Sequence, residues 1–100
     1  MEKALLVCNA GASSGFMAKA IRKAAKKNKI ELDVFARTEA SLNDYLDDIQ
    51  YLLIAPHLAY MKNDLVEQVG NKAIKIIDIP QIVYGSLDGA AALKLILESE

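Results

Sequence analysis

Short apolar runs alternate along this chain with segments of helical periodicity, and that alternation limits the possible folds more than any other feature. Ala4–Leu5–Leu6–Val7 is an uninterrupted apolar run, the pattern of a strand covered on both faces. Ile30 to Ala36 alternates instead, with Ile30, Leu32 and Val34 apolar and Glu31 and Asp33 polar, which suits a sheet edge. Tyr51–Leu52–Leu53–Ile54–Ala55 is again continuous and central, and Ala73–Ile74–Lys75–Ile76–Ile77 supplies a fourth strand. A first helix is predicted from Ser14 to Lys27, with Met17, Ile21, Ala24 and Ala25 inward and Lys19, Arg22, Lys23, Lys26 and Lys27 outward. Ser41 and Asp44 match a capping box that opens a short second helix through Leu46. Leu58, Met61, Leu65 and Val69 mark a third helix closed by Gly70. Asp88 caps a last one whose Ala91, Leu93, Ile96 and Leu97 face inward.

Strands joined through helices imply right-handed βαβ crossovers and a parallel sheet. The expected fold class is α/β: a four-stranded parallel sheet of order 2-1-3-4 with helices on both faces, a flavodoxin-like or phosphatase-like three-layer sandwich. That order puts the uninterrupted first strand in the middle. A chain of 100 residues reads as one domain over 1–100. At that size it buries roughly two-thirds of its unfolded surface and needs no disulfide or metal staple. The single cysteine cannot form an internal disulfide, which fits a reducing compartment. No segment reads as a targeting signal or membrane span, so the expected location is cytoplasmic.

In such sheets ligands sit beyond the C-terminal strand ends, beside strand 1, and Cys8 stands there. The segment Cys8-Asn9-Ala10-Gly11-Ala12-Ser13-Ser14-Gly15 runs from the buried strand directly into a helix start. Its small residues let the backbone curve tightly and turn N–H groups inward, an anion-binding nest reinforced by the helix dipole. Asn9 through Gly15 are therefore the candidate phosphate-binding residues. A thiol facing that loop is expected to ionise below its free value of about 8.5 and to act as a nucleophile. The plainer alternative is a cysteine serving as a small buried hydrophobe.

Three familiar phosphate motifs do not fit. Gly11 and Gly15 do not satisfy G-x-G-x-x-G, and no lysine follows as in a Walker A loop. The Cys-x5-Arg loop of cysteine phosphatases requires arginine where this chain has Ser14. Without that clamp, fast hydrolysis of a phosphocysteine is not expected, whereas a carrier needs the adduct to survive. A small cysteine-dependent phosphatase or arsenate reductase-like enzyme stays the alternative, followed by a non-catalytic anion-binding module.

Three segments together carry a resemblance: Leu5-Leu6-Val7-Cys8-x-Ala10-Gly11-x-Ser13-Ser14, Ala55-Pro56-His57-Leu58-Ala59-Tyr60-Met61 after strand 3, and Tyr84-Gly85-x-x-Asp88-Gly89 before the last helix. In this order and at these distances the chain resembles the lactose/cellobiose-type (chitobiose-like) enzyme IIB of the bacterial phosphoenolpyruvate-dependent sugar phosphotransferase system. The resemblance implies that Cys8 takes a phosphoryl group from a phosphohistidine on enzyme IIA. It implies transfer from there to a sugar, of lactose, cellobiose or chitobiose type, held by membrane enzyme IIC. It also implies a cytoplasmic domain that docks at the inner face of the membrane, monomeric alone, with no cofactor and no metal. Pro56, His57, Tyr60 and Tyr84 become the expected partner-facing residues. The chain departs from the family at His57, where glutamine is frequent, and at Gly15, where a residue with a side chain is common.

The remaining polar residues have plain readings as well. His57, at the end of strand 3, can donate to a phosphoryl group or simply open a helix at the surface. Asp78 and Asp88 are assigned to solvation and capping. The net charge of −1 hides a division: residues 1–30 carry seven Lys/Arg and one Glu, residues 31–100 five Lys/Arg and twelve Asp/Glu. A basic helix face that helps recruit an acidic partner accounts for this. Nucleic-acid or membrane-surface binding by this stripe is the alternative and is not expected, since an apolar stripe matches it, no aromatics interleave it and the net charge is slightly negative.

Overall fold

The computed structural model describes residues 1–8 and 13–99, the side chain of Ser13 excepted. Among these residues, β1 (Glu2–Cys8) pairs with β2 (Leu32–Thr38) on one side and β3 (Tyr51–Ile54) on the other, and β4 (Lys75–Asp78) lies outside β3. Every pairing is parallel, in the order β2-β1-β3-β4 that the sequence predicts. The apolar run of β1 is uninterrupted because its two faces enter two different cores. Ala4 and Leu6 pack with Met17, Ile21 and Ala25 of α1 (Ser13–Lys27) and, further on, Leu93 and Ile96 of the last helix. Leu5 and Val7 pack on the opposite side with Leu42, Leu58, Leu65 and Val69.

Several boundaries differ from expectation. Strand β2 begins at Leu32 and not at Ile30, because the end of α1 claims the intervening residues. Lys29 takes a left-handed conformation (φ 58°), its N–H donating to the Lys26 carbonyl and that of Ile30 to the Ala25 carbonyl at 2.8 Å. That is a Schellman closure, with Ile30 as its apolar partner. Strand β4 begins at Lys75 and not Ala73, in register with the first residue of β3, Tyr51. The segment from Ser41 to Leu46 is not an α-helix. Residues Glu39–Tyr45 form a 3₁₀ helix led by Thr38, with no side-chain cap, and the expected box falls inside it. A tight turn of this kind drops one residue, Leu42, into the core.

The third helix is also divided. Pro56–Met61 is 3₁₀, and α2 (Lys62–Val69) follows and stops at Gly70, whose φ of 61° suits glycine. A short helix after Pro80, α3 (Gln81–Gly85), is not predicted at all. It closes through a left-handed Leu87 (φ 52°), with Asp88 N–H bonded to the Val83 carbonyl. In α4 (Gly89–Glu98) the buried residues are Gly89, Ala92, Leu93 and Ile96; Leu97 turns out to be 39% exposed. Leu97 lies one turn past Leu93, on the rim of that face rather than its centre.

Asp88 caps α4 as predicted, its carboxylate accepting from the Ala91 N–H at 3.0 Å. Asp88→Ala is expected to cost about 1 kcal/mol, read as a lower urea midpoint at unchanged slope; an unchanged midpoint would remove the cap from the stability account. Asp78 pairs with Lys62 at 2.6 Å, in keeping with a surface role.

Candidate functional site

Cys8 is the last residue of the central strand, opposite Thr38, the last residue of β2. The residue is 4% exposed and its thiol is free. Seven consecutive register pairs with β2, Glu2 through Cys8, anchor the backbone that carries it. Its Sγ lies 3.5 Å from the Arg37 carbonyl, to which the thiol donates. Helix α1 starts at Ser13, so the helix N-terminus and the cysteine share the C-terminal edge of the sheet. This is the switch point, since the chain leaves β1 for β2 on one side while β3 and β4 lie on the other.

Of the expected phosphate-binding residues, Asn9, Ala10, Gly11, Ala12 and the side chain of Ser13 lie outside the described residues. Ser14 is buried in the first turn of α1 at 3% exposure. An arginine at this position, as in the phosphatase loop, would overpack the start of the helix. Gly15 is exposed, and a Cβ there meets nothing within 4 Å among the described residues.

The four expected partner-facing residues divide. Pro56 is half-buried at the start of the 3₁₀ segment after β3, and His57 and Tyr60 are exposed, Tyr60 to 77%. Tyr84 is not at the surface: only 7% of it is exposed, and it belongs to the core between the sheet and α1. Helix α3 has one buried position, Tyr84 fills it, and so the apolar body of the ring serves packing. The structure nonetheless brings two of the four together, for the His57 and Tyr84 rings meet edge-on with centroids 5.7 Å apart.

Arg37 is the neighbour that sequence reasoning missed. Its carbonyl receives the Cys8 thiol, while its guanidinium sits 5.4 Å from the centre of the Phe35 ring and donates through Nε to the Tyr45 hydroxyl at 3.0 Å. Nη1 donates to the Ala36 carbonyl at 2.7 Å. Arg37 stands opposite Val7 in the register, so its side chain leaves the sheet on the face opposite to that of Cys8. The Phe35-x-Arg37 spacing was the available signal, as it puts ring and cation on one face. An arginine thus adjoins the cysteine in sequence pairing, but its head is stacked and hydrogen-bonded elsewhere. Among the described residues no three His, Cys, Asp or Glu side chains gather as metal ligands.

Residues 3–95 match the family model described as the lactose/cellobiose-specific IIB subunit of the PTS system. The lactose-specific EIICB component of Staphylococcus haemolyticus is 29% identical over 94 residues, which are 92% of this chain and 16% of that protein. The chain therefore spans only a small part of the length of that relative. The oligo-beta-mannoside-specific EIIB component of Bacillus subtilis is 24% identical over 92 residues, 92% of this chain and 89% of that one. Among solved structures, the lactose-specific IIB domain of Streptococcus pneumoniae superposes with a TM-score of 0.88 at 19% identity, covering 98% of this chain and 96% of that one. The cellobiose-specific IIB component of Borrelia burgdorferi gives 0.79 at 33% identity, covering 98% and 90%.

Proposed function

The chain belongs to the lactose/cellobiose-specific IIB family of the phosphotransferase system, and from that premise we propose that it is a phosphoryl carrier working through Cys8. The observation that carries this reading is the position of Cys8: a free thiol ending the central strand, at the switch point and at the head of a long helix. A nucleophile there is held by the sheet, and the helix N-terminus favours the negative charge it acquires.

The reaction has two displacements. In the first, the Cys8 thiolate attacks the phosphorus of a phosphohistidine on enzyme IIA; the S–P bond forms, the P–N bond breaks, and the imidazole leaves with its electron pair. The thiol proton is lost beforehand, so the contact with the Arg37 carbonyl is given up. In the second, a sugar hydroxyl held by enzyme IIC attacks the same phosphorus. The O–P bond forms, the S–P bond breaks, and the hydroxyl proton departs as Cys8 is regenerated. Both steps need the equatorial oxygens stabilised and the donor and acceptor in line. We assign that role to the backbone N–H groups of the segment 9–15 and the hydroxyls of Ser13 and Ser14, at the helix N-terminus. Relatives named for lactose, cellobiose and oligo-beta-mannosides support a sugar of that kind. Pro56, His57 and Tyr60, on the segment following β3, border the partner surface.

Mixing the protein with phosphorylated enzyme IIA and following protein-bound and free phosphate tests this reading. A stable adduct on Cys8 is expected, discharged only when enzyme IIC and sugar are added. Its lifetime without acceptor should greatly exceed a typical enzymatic turnover time of roughly a tenth of a second. Decay to inorganic phosphate within that time would make the protein a phosphatase, and no adduct at all would leave it an anion-binding module.

A further inference from the structure

The fold converts the charge division along the sequence into a division between its two faces. On α1, Phe16, Lys19, Lys23, Lys26 and Lys27 fall within about a 100° arc of the helix, and all are exposed. Arg22 flanks them, and Lys94 of α4 lines a groove beside the end of α1 with Asn28 and Leu97. On the other side of the sheet, Asp44, Asp47, Asp48, Asp64 and Glu67 are exposed on and around the first 3₁₀ helix and α2. The ion pairs found among the described residues, Lys62–Asp78 and Lys72–Asp47, involve no cation of α1. Glu31, which lines a pocket with Arg22 and Lys26, and Asp88 and Glu98, at the two ends of α4, are exposed acids on the basic side.

We propose that the outer face of α1 is a membrane-surface binding site, taking the anionic phospholipid headgroups of a bilayer. Two observations favour an extended anionic surface over the protein that docks at Cys8. The first is reach. Lys26 and Lys27 stand about 20 Å along the helix from its start at the Cys8 edge. A standard interface of about 800 Å² per partner centred on Cys8 has a radius near 16 Å and leaves them outside. The second is chemistry. The stripe is almost all lysine, a point charge on a flexible stem, which suits a fluid array of phosphates better than the fixed bidentate pairing that arginine provides. Because the apolar face of α1 is packed on the sheet, leaving Phe16 as the exposed apolar side chain of the stripe, binding is chiefly electrostatic. It is therefore reversible and weakened by salt. Lying on this face, the protein holds its sheet roughly parallel to the bilayer with the Cys8 edge pointing along it.

Vesicle co-sedimentation tests the proposal and needs no phosphoryl group, so its outcome is separate from that of the carrier reading. Vesicles of phosphatidylcholine with about a third phosphatidylglycerol should bind the protein at least about tenfold more tightly than phosphatidylcholine alone, given the contribution of each basic residue near an anionic surface. High salt should abolish the difference. A variant with Lys19, Lys23, Lys26 and Lys27 all replaced by Gln should lose it, with the helix kept because Gln has similar propensity. A second variant with Lys3, Lys62, Lys72 and Lys75 replaced by Gln removes as many charges from elsewhere and should still bind. Equal binding to both kinds of vesicle, no binding, or equal loss in the two variants overturns the proposal. So does retention on duplex DNA or on enzyme IIA that depends on the α1 lysines while vesicles are ignored.

Discussion

Cys8→Ser folds as the parent protein does and takes up no phosphoryl group from the donor. Serine is nearly isosteric with cysteine, and the Arg37 carbonyl that faces Sγ at 3.5 Å can accept from a hydroxyl as well. The fold should therefore keep its thermal midpoint to within a few degrees. The chemistry does not survive. A serine hydroxyl needs a base to attack phosphorus, and a backbone carbonyl cannot serve as one. Uptake should fall at least on the order of a hundredfold, the least that a missing general base costs. Intact-mass measurement of both proteins after equal exposure to phosphorylated enzyme IIA reads the outcome. A serine variant labelled at the parent rate would mean that the phosphoryl group goes elsewhere on the chain.

The second large effect lies at Gly89, where α4 crosses α1. A Cβ built there would stand only 2.2 Å from the Ala20 carbonyl oxygen, 2.4 Å from its carbon and 2.9 Å from the Ile21 nitrogen. These are backbone atoms of a packed helix, with no flexible end to swing away. Gly89→Ala must push the two helices apart and loosen Ile21, Leu93 and Ile96 in the core beneath them. A loss of at least about 2 kcal/mol is expected from such overpacking, out of a total of roughly 5–15 for a domain. For a chain of this size that lowers the melting temperature by roughly 10 °C. Gly85→Ala is the internal control, because a Cβ there meets nothing within 4 Å among the described residues. If the two variants melt together, the close crossing is not what holds α4 in place.

Gly89 also shows what kind of information the sequence carries. The motif Tyr84-Gly85-x-x-Asp88-Gly89 can be read as a family signature, and Asp88 as a cap, but the reason for Gly89 is a contact with a residue far away in the chain. The strands of the centre were legible because a strand covered on both faces announces itself by an unbroken apolar run, as β1 and β3 do. The edges were legible only in outline. Ile30 reads as the first residue of a strand, yet it closes α1, since alternation in seven residues cannot tell a strand from an apolar helix stop. Ser41 and Asp44 have the spacing of a capping box, which local pattern alone cannot distinguish from the 3₁₀ turn that brings Leu42 to the core. Helix α3 has five residues, too few for any periodicity to show. At the site, Cys8 was visible from its place between strand and helix. The burial of Tyr84 and the stacked head of Arg37 were not, because both depend on packing across elements.

The depth of Cys8 sets the order of events for anything that exchanges a group through it. With 4% of the residue exposed and its backbone fixed in the middle of the sheet, the sulfur cannot swing out to meet a partner. Each partner has to bring its reacting atom to the same edge, and while one is there the other is shut out. On the proposed carrier reading, donor and acceptor then alternate in a ping-pong cycle, and each competes with the other for a single seat. An excess of spent donor, still able to occupy that seat, slows the cycle without touching its chemistry, so throughput depends on how quickly each visitor leaves.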